Sequence, residues 1–347
     1  MRIFSETTNR SSISVLKDIP SRIEYTSGEP SKAYFDNGQC CSIGCLGCTN
    51  PRFMKFEENE ITCSEVDNFP SDQSLNVCPV DALTWDSELD IPKIDSAKCI
   101  SCGICLRRCP VGALYYNNGV YVNATTSHQQ TKVAVSSSTT ELQTKQIQAL
   151  DEIDRRGTLI MESDRLMESI YEKLDRLKPQ FHNTVGRNLL ISLGCSSAMR
   201  RIGDVYTRMD ALYSSIDGCF GAVEVEFGRE TLDASRGILD DIAVLYTRYG
   251  IDKDENLPLV ICLQLPNARQ GYWQVVKDIK TVEDIAIATI TIGAMLLLNW
   301  NGCGLIPDDV TYHLDYDNMD LRSVISWQLG RPISISEKFL GILEPQK

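Results

Sequence analysis

Apolar and polar positions change rhythm several times along the chain, and each change predicts an element. Residues 1–35 are polar with short apolar pieces at Ile13, Val15 and Leu16, which suits an N-terminal extension carrying one strand. Residues 127–140, SHQQTKVAVSSSTT, have the Ser/Thr/Gln composition of a linker. Beyond it, 142–153 and 159–177 show helical spacing, with Leu159, Leu166, Ile170, Leu174 and Leu177 near one face, and Pro179 ends the second helix. A short apolar run, LLISLG, fills 189–194. MDALYSS and GAVEVEF flank Asp217-Gly218 as the two arms of a hairpin. Leu232, Leu239, Ile242, Tyr246 and Tyr249 mark an amphipathic helix. LPLVICLQLP, 257–266, reads as a buried strand, and 282–300 as a largely buried helix. Helices, hairpin, helix, strand and helix in this order make an α/β core.

Composition then narrows the class. The 347 residues suffice for about two domains. They are 43% hydrophobic and 23% charged, which suits packed cores rather than wholesale disorder. No apolar run approaches the roughly 18 residues of a membrane span, and the first residues lack the apolar stretch of a secretory signal. The expected location is the cytoplasm, away from membranes. A net charge of −13, with acidic residues in excess on both sides of the linker, argues against coating nucleic acid through bulk charge.

Of the 14 cysteines, ten lie between Cys40 and Cys109. A disulfide scaffold would be short and secreted, so the pattern points to metal binding. The three histidines, His128, His182 and His313, are far apart in sequence, which leaves little for a histidine-based zinc site. Cys99, Cys102, Cys105 and Cys109 form C-x2-C-x2-C-x3-C followed by Pro110. Thiolates at this spacing wrap a cubane from one loop, and the last of them serves a second cluster. A second half is visible: Cys78-Pro79-Val80-Asp81-Ala82-Leu83 mirrors Cys109-Pro110-Val111-Gly112-Ala113-Leu114, and Cys40, Cys41, Cys45 and Cys48 lie upstream.

Over roughly 36–121 this pattern resembles the two-cluster bacterial ferredoxins. The resemblance implies two [4Fe-4S] clusters, one on Cys78, Cys99, Cys102 and Cys105, the other on Cys41, Cys45, Cys48 and Cys109. Two departures bear on the second set. The first gap is x3 rather than x2, so Cys40 is an alternative to Cys41. Arg52 stands where a short loop would carry its fourth cysteine, and 29 residues separate Cys48 from Cys78, with Cys63 among them as another alternative. The remaining Cys195, Cys219, Cys262 and Cys303 read as small core hydrophobes.

The second feature is Asp210 on the first arm of the hairpin and Glu224 and Glu226 on the second. Alternate residues of a strand share a face, so Glu224 and Glu226 point one way. A turn centred on Gly218 sets Asp210 across from Glu226. Three unpaired carboxylates on one face would raise each other's pKa, and Mg²⁺ or Mn²⁺ would relieve the repulsion. The pattern resembles the PD-(D/E)XK nuclease superfamily over about 185–300, with Asp210 as its Asp and Glu224 as its first acidic residue. Glu226 replaces the usual Lys and Met209 the usual Pro. The resemblance implies metal-dependent DNA hydrolysis with Asp210, Glu224 and Glu226 as catalytic and metal-binding residues. Arg200, Arg201, Arg208 and Arg269 are candidate phosphate contacts, Tyr272 and Trp273 candidate stacking partners, and Glu162, Glu168 and Glu172 candidate extra ligands.

Together these readings predict an α+β ferredoxin-like iron–sulfur domain at 36–126, then an α/β restriction-endonuclease-like domain with added helices within 141–347. DNA is the expected partner, with a protein partner supplying DNA affinity or electrons. Two alternatives stay open: an electron-transfer ferredoxin whose C-terminal domain docks on a redox partner, and a catalytically inactive nucleic-acid-binding module.

Overall fold

The computed structural model describes residues 14–16, 22–26, 32–35, 55–86, 91–108, 114–117, 121–126, 132–134, 158–160, 162–228, 231–308, 310–336 and 341–346. The helix expected over 142–153 lies outside them. Two compact units emerge. The first takes Met1–Glu57, Leu75–Leu174 and Trp300–Gly302, and the second takes Glu58–Ser74, Asp175–Asn299 and Cys303–Lys347. This division differs from the expected one: the helical segment beyond the linker goes with the cysteine-rich part, and a piece of the insertion between Cys48 and Cys78 goes with the α/β part.

The first unit is built from short antiparallel pairs. Its strands are β1 (Ser14–Leu16), β2 (Arg22–Thr26), β3 (Lys32–Phe35), β4 (Leu83–Asp86), β5 (Ile91–Ile94), β6 (Leu114–Asn117), β7 (Tyr121–Thr126), β8 (Lys132–Ala134) and β9 (Thr158–Ile160). β1 pairs with β8, β3 with β6 and β4 with β5, while β7 lies between β2 and β9. The stretch read as a linker therefore contributes β8. Its helices are α1 (Ile104–Arg108) and α2 (Asp164–Leu174). In α2 the apolar residues Leu166, Met167, Ile170, Tyr171 and Leu174 recur at helical spacing and are buried. Leu159, expected as the start of that helix, belongs to β9.

The second unit is a five-stranded mixed sheet covered on both faces. Its elements run α3 (His182–Ser192), β10 (Ser196–Met199), β11 (Ala211–Ser214), β12 (Phe220–Glu226), α4 (Leu232–Val244), β13 (Leu259–Cys262), α5 (Gly271–Glu283), β14 (Ala288–Thr291), α6 (Ile292–Trp300) and α7 (Leu321–Leu329). Trp300, the last residue of α6, is counted with the first unit. Strand order is β10-β11-β12-β13-β14, the first three antiparallel and the last three parallel. A Cβ on Gly186 of α3 would meet Val225, whereas one on Gly237 of α4 would meet Glu224, so the two helices cover opposite faces. LLISLG, expected as a separate run, is the end of α3 and its exit.

Two apolar stretches resolve differently from their sequence pattern. Residues 282–300 are not one helix: Ala288–Thr291 is a fully buried strand, and the helix begins at Ile292. From Ile285 to Leu298 the run is apolar apart from Thr289 and Thr291, which is too little polar punctuation to separate the two states by period. The buried side of α4 is Ala234, Ser235, Ile238, Asp241 and Ile242, while Tyr246 is exposed. The hairpin turn is also tighter than expected. Ser215 N–H donates to Cys219 O, 2.8 Å, and Ala211 pairs with Val223. Continued one step, that register sets Asp210 opposite Glu224 rather than Glu226. The two-residue slip leaves every side chain on its expected face, because the strand period is two.

Candidate functional site

In the first unit the chain brings four cysteines to one place. Cys78 precedes β4 in a turn whose Asp81 has φ 52°. That backbone carries the Ala82 N–H to Cys78 Sγ, 3.2 Å away. Cys99 and Cys102 lie in the loop leaving β5, and Cys105 is the second residue of α1. The loop turns through Ser101 at φ 61° and Gly103 at φ 85°, and Ser101 N–H donates to Cys99 Sγ, 3.4 Å. Lys173 of α2 donates to Ser101 Oγ at 2.9 Å and the buried Trp300 indole to Cys102 O at 3.0 Å, which fixes the loop from outside.

Cys78, Cys99, Cys102 and Cys105 line one cavity with Val80 and Ile104. Burial pushes the Cys78 and Cys102 thiols up, with neighbouring cysteines adding to the effect. Ionising them here demands a cation. The donor set fits an iron–sulfur cubane: soft sulfur ligands around an apolar space, with backbone N–H groups aimed at two of the sulfurs. Cys41, Cys45, Cys48 and Cys109, with Cys40, lie outside the described residues. Cys63 is placed in the second unit. It is buried against Val66, Ala198, Met209 and Leu212, with Sγ 3.9 Å from Ser196 O, and burial pushes its thiol up to about 12. Cys195 and Cys262 are buried core residues, whereas Cys219 and Cys303 are half-buried.

In the second unit Asp210, Glu224 and Asp241 form the acidic group. Asp210 immediately precedes β11 and its carboxylate is well supplied with donors. Oδ1 accepts from Asn183 Nδ2 at 2.7 Å and lies 3.4 Å from Arg200 Nη2, while Oδ2 accepts from Val225 N–H at 3.1 Å. Glu224 points toward α4. Burial, Asp210 and Asp241 push its carboxyl up to about 10, and burial is also the main cause that takes Asp241 up to about 6. Glu224 thus keeps its proton beside Asp241, whose two buried carboxylate oxygens lack a hydrogen-bond partner among the described residues.

Glu226 is not drawn into this group. It lies toward the end of the same strand face, and its carboxylate accepts from Gly228 N–H. The trio Asp210, Glu224 and Glu226 is thus replaced by Asp210, Glu224 and Asp241. Among the described residues no three His, Cys, Asp or Glu side chains are grouped to hold a metal ion, so these carboxylates as placed do not fit Mg²⁺ or Mn²⁺. A cubane is a different case, because its own irons hold the four thiolates apart. Sequence reading missed Asp241, because the expected stripe of this helix ran through Leu239 and Tyr246, whereas the buried side of α4 runs through Ile238 and Asp241.

The other candidate contacts separate in the same way. Tyr272 and Trp273 are fully buried, the former hydrogen-bonded to Thr289 Oγ1 at 2.8 Å, which excludes them as an open stacking surface. Arg200 is committed to Asp210, and Arg208 pairs with Asp240 at 2.9 Å. Arg201 and Arg269 are exposed. Glu162, Glu168 and Glu172 belong to the first unit, and Glu162 accepts from Asn301 at 3.4 Å.

Residues 75–113 match the 4Fe-4S dicluster domain family. An uncharacterized ferredoxin of Methanocaldococcus jannaschii is 33% identical over 84 residues, 22% of this chain and 52% of that protein. The chain thus spans about half the length of that relative. No solved structure matches this chain. This part of the chain is a ferredoxin-type iron–sulfur domain, and the α/β unit lies outside the family match. Among the described residues no helix is long and apolar enough to cross a membrane.

Proposed function

We propose that the chain is an iron–sulfur electron carrier whose second unit docks on a redox partner. One [4Fe-4S] cluster is held by Cys78, Cys99, Cys102 and Cys105, the other by Cys41, Cys45, Cys48 and Cys109. The convergence of four cysteines on one apolar cavity carries this reading. When bound, such clusters supply one-electron chemistry. The residues of the chain do the rest. The thiolates hold iron, Ala82 and Ser101 N–H groups stabilise charge on sulfur, and the apolar lining excludes water that would hydrolyse the cluster. Two clusters favour relay over a bracing role, because one would be enough to brace the fold. In protein purified without oxygen, Cys102→Ser should lose roughly half the iron if the two sites fill independently. Cys63→Ser should lose none, since its thiol packs in the core of the other unit. Iron lost with Cys63→Ser and retained with Cys102→Ser would overturn the assignment.

A second reading, metal-dependent DNA hydrolysis by the second unit, is favoured by one observation. The order helix, three-stranded meander, helix, parallel strand carries Asp210 directly opposite Glu224. The carboxylates as placed do not make a cation site, so this reading rests on fold order and the paired acids alone. Its test is a cleavage assay under anaerobic conditions with Mn²⁺. Cleavage abolished by Asp210→Ala with iron content unchanged supports it, and absence of cleavage with every metal tried removes it.

A further inference from the structure

The parallel strands β12 and β13 end side by side, and beyond their carboxyl ends the second unit has a cavity of about 400 Å³. Ligands of open α/β sheets bind outside the carboxyl ends of the strands, and this volume is in the range of small-molecule sites. None of the residues discussed above as cluster ligands or acidic group lines it. Its walls are Phe227, Leu263 and Leu265, and its polar groups include the carboxamides of Gln264, Asn267 and Gln346.

Two observations define what would fit. The Phe227 ring is stacked on the His182 imidazole, centroids 4.1 Å apart and planes 14° from parallel, so its plane is fixed where it meets the cavity. The carboxamides of Gln264, Asn267 and Gln346 are neutral groups that both donate and accept hydrogen bonds. Asn267 is held by its backbone carbonyl, which accepts from the Trp273 indole at 3.1 Å and from Gln270 N–H at 2.8 Å. Its side-chain oxygen accepts from Arg269 N–H at 3.0 Å, which turns the Asn267 NH₂ into a donor for a guest. Gln264 adds a donor and an acceptor on one flexible arm. Among the described residues no Lys or Arg lines the cavity, and Asp175 is its one charged group. The Asp175 carboxylate disfavours an anion, whereas a flat neutral molecule with donors and acceptors along its edge is suited to the ring and the amides.

We propose that this cavity binds an uncharged planar heterocycle of the nucleobase class, taken as the free base or nucleoside. The ring lies along Phe227, and Gln264 and Asn267 read its edge. This site stands apart from both readings above, because neither cluster chemistry nor DNA cleavage requires it. Isothermal titration calorimetry on the full anaerobic chain, with adenosine, guanosine, cytidine and uridine as probes and ribose as control, tests it. At least one nucleoside should bind at one per chain, ribose should not, and the 5′-monophosphate should bind no tighter than its nucleoside. Gln264→Ala and Asn267→Asp, both at half-buried polar positions, should each weaken binding about tenfold, the scale of one lost neutral hydrogen bond. The visible absorbance of the clusters, monitored in each variant, should stay unchanged. Silence from all four nucleosides would overturn the proposal. So would ribose binding equally well, or binding indifferent to both substitutions.

Discussion

Glu224 shows how much one side chain's surroundings can decide. Its carboxyl is pushed from an ordinary 4.5 up to about 10, first by burial and then by Asp210 and Asp241. The folded chain keeps that proton over a range in which the unfolded chain has released it. Folding thus takes up a proton, and stability contributed here is full below about 4.5 and is lost as pH rises toward 10. Glu224→Gln keeps the shape and removes the titration. Between pH 5 and pH 9 the unfolding temperature of the wild type should fall more steeply than that of the variant, by differential scanning calorimetry. Equal slopes would place Glu224 in contact with water. The strand alternation made Glu224 legible in sequence as a face-sharing acid. Its partner was not, because Asp241 is 17 residues away on a helix whose expected stripe ran through Leu239 and Tyr246. The cysteines were legible for the opposite reason: their chemistry is set by local spacing, and Cys99, Cys102 and Cys105 need only one loop to converge.

Among the elements, the close packing of β12 is the most exacting feature. A Cβ on Gly221 would come within 2.0 Å of Leu257 O, and Leu257 N–H donates to Phe220 O at 2.8 Å. Backbone against backbone leaves nothing to rotate away. Gly221→Ala should cost about 1–3 kcal/mol or more, read from urea unfolding of the second unit. An unchanged midpoint would mean that the strand can shift aside. The hairpin, the helix after it and the strand at 259–262 were each readable, since polar breaks and period changes bound them. β14 was not, because Thr289 and Thr291 are the only polar residues between Ile285 and Leu298 and the helix follows the strand with no loop between them. Tyr272 and Trp273 likewise looked available from their polar neighbours, yet α5 turns both inward.

At the scale of the whole molecule, the segment Glu58–Ser74 is the least expected component. It leaves the cysteine-rich sequence and joins the second unit through backbone bonds. Asp72 N–H donates to Met199 O at 2.7 Å and Arg201 N–H to Pro70 O at 2.9 Å. Asp72 also lies 3.7 Å from Arg187, a guanidinium that is wholly buried and whose pKa burial lowers. Asp72→Ala would strand that charge and should destabilise the second unit by about 3–5 kcal/mol in denaturant titration. A loss under about 1 kcal/mol would show that the pair matters little. No sequence period announces such an exchange, since it depends on pairing between Ser71 and Arg200, far apart in the chain.

The proposal of a two-cluster electron carrier stands or falls on what the chain holds and whether that cargo takes up electrons. Anaerobic protein should contain about eight irons and eight sulfides per chain, by the arithmetic of two cubanes. Reductive titration followed by electron paramagnetic resonance should then show about two electrons taken up, one per cluster. Stoichiometric zinc without sulfide, or clusters that accept no electron at any accessible potential, would contradict it.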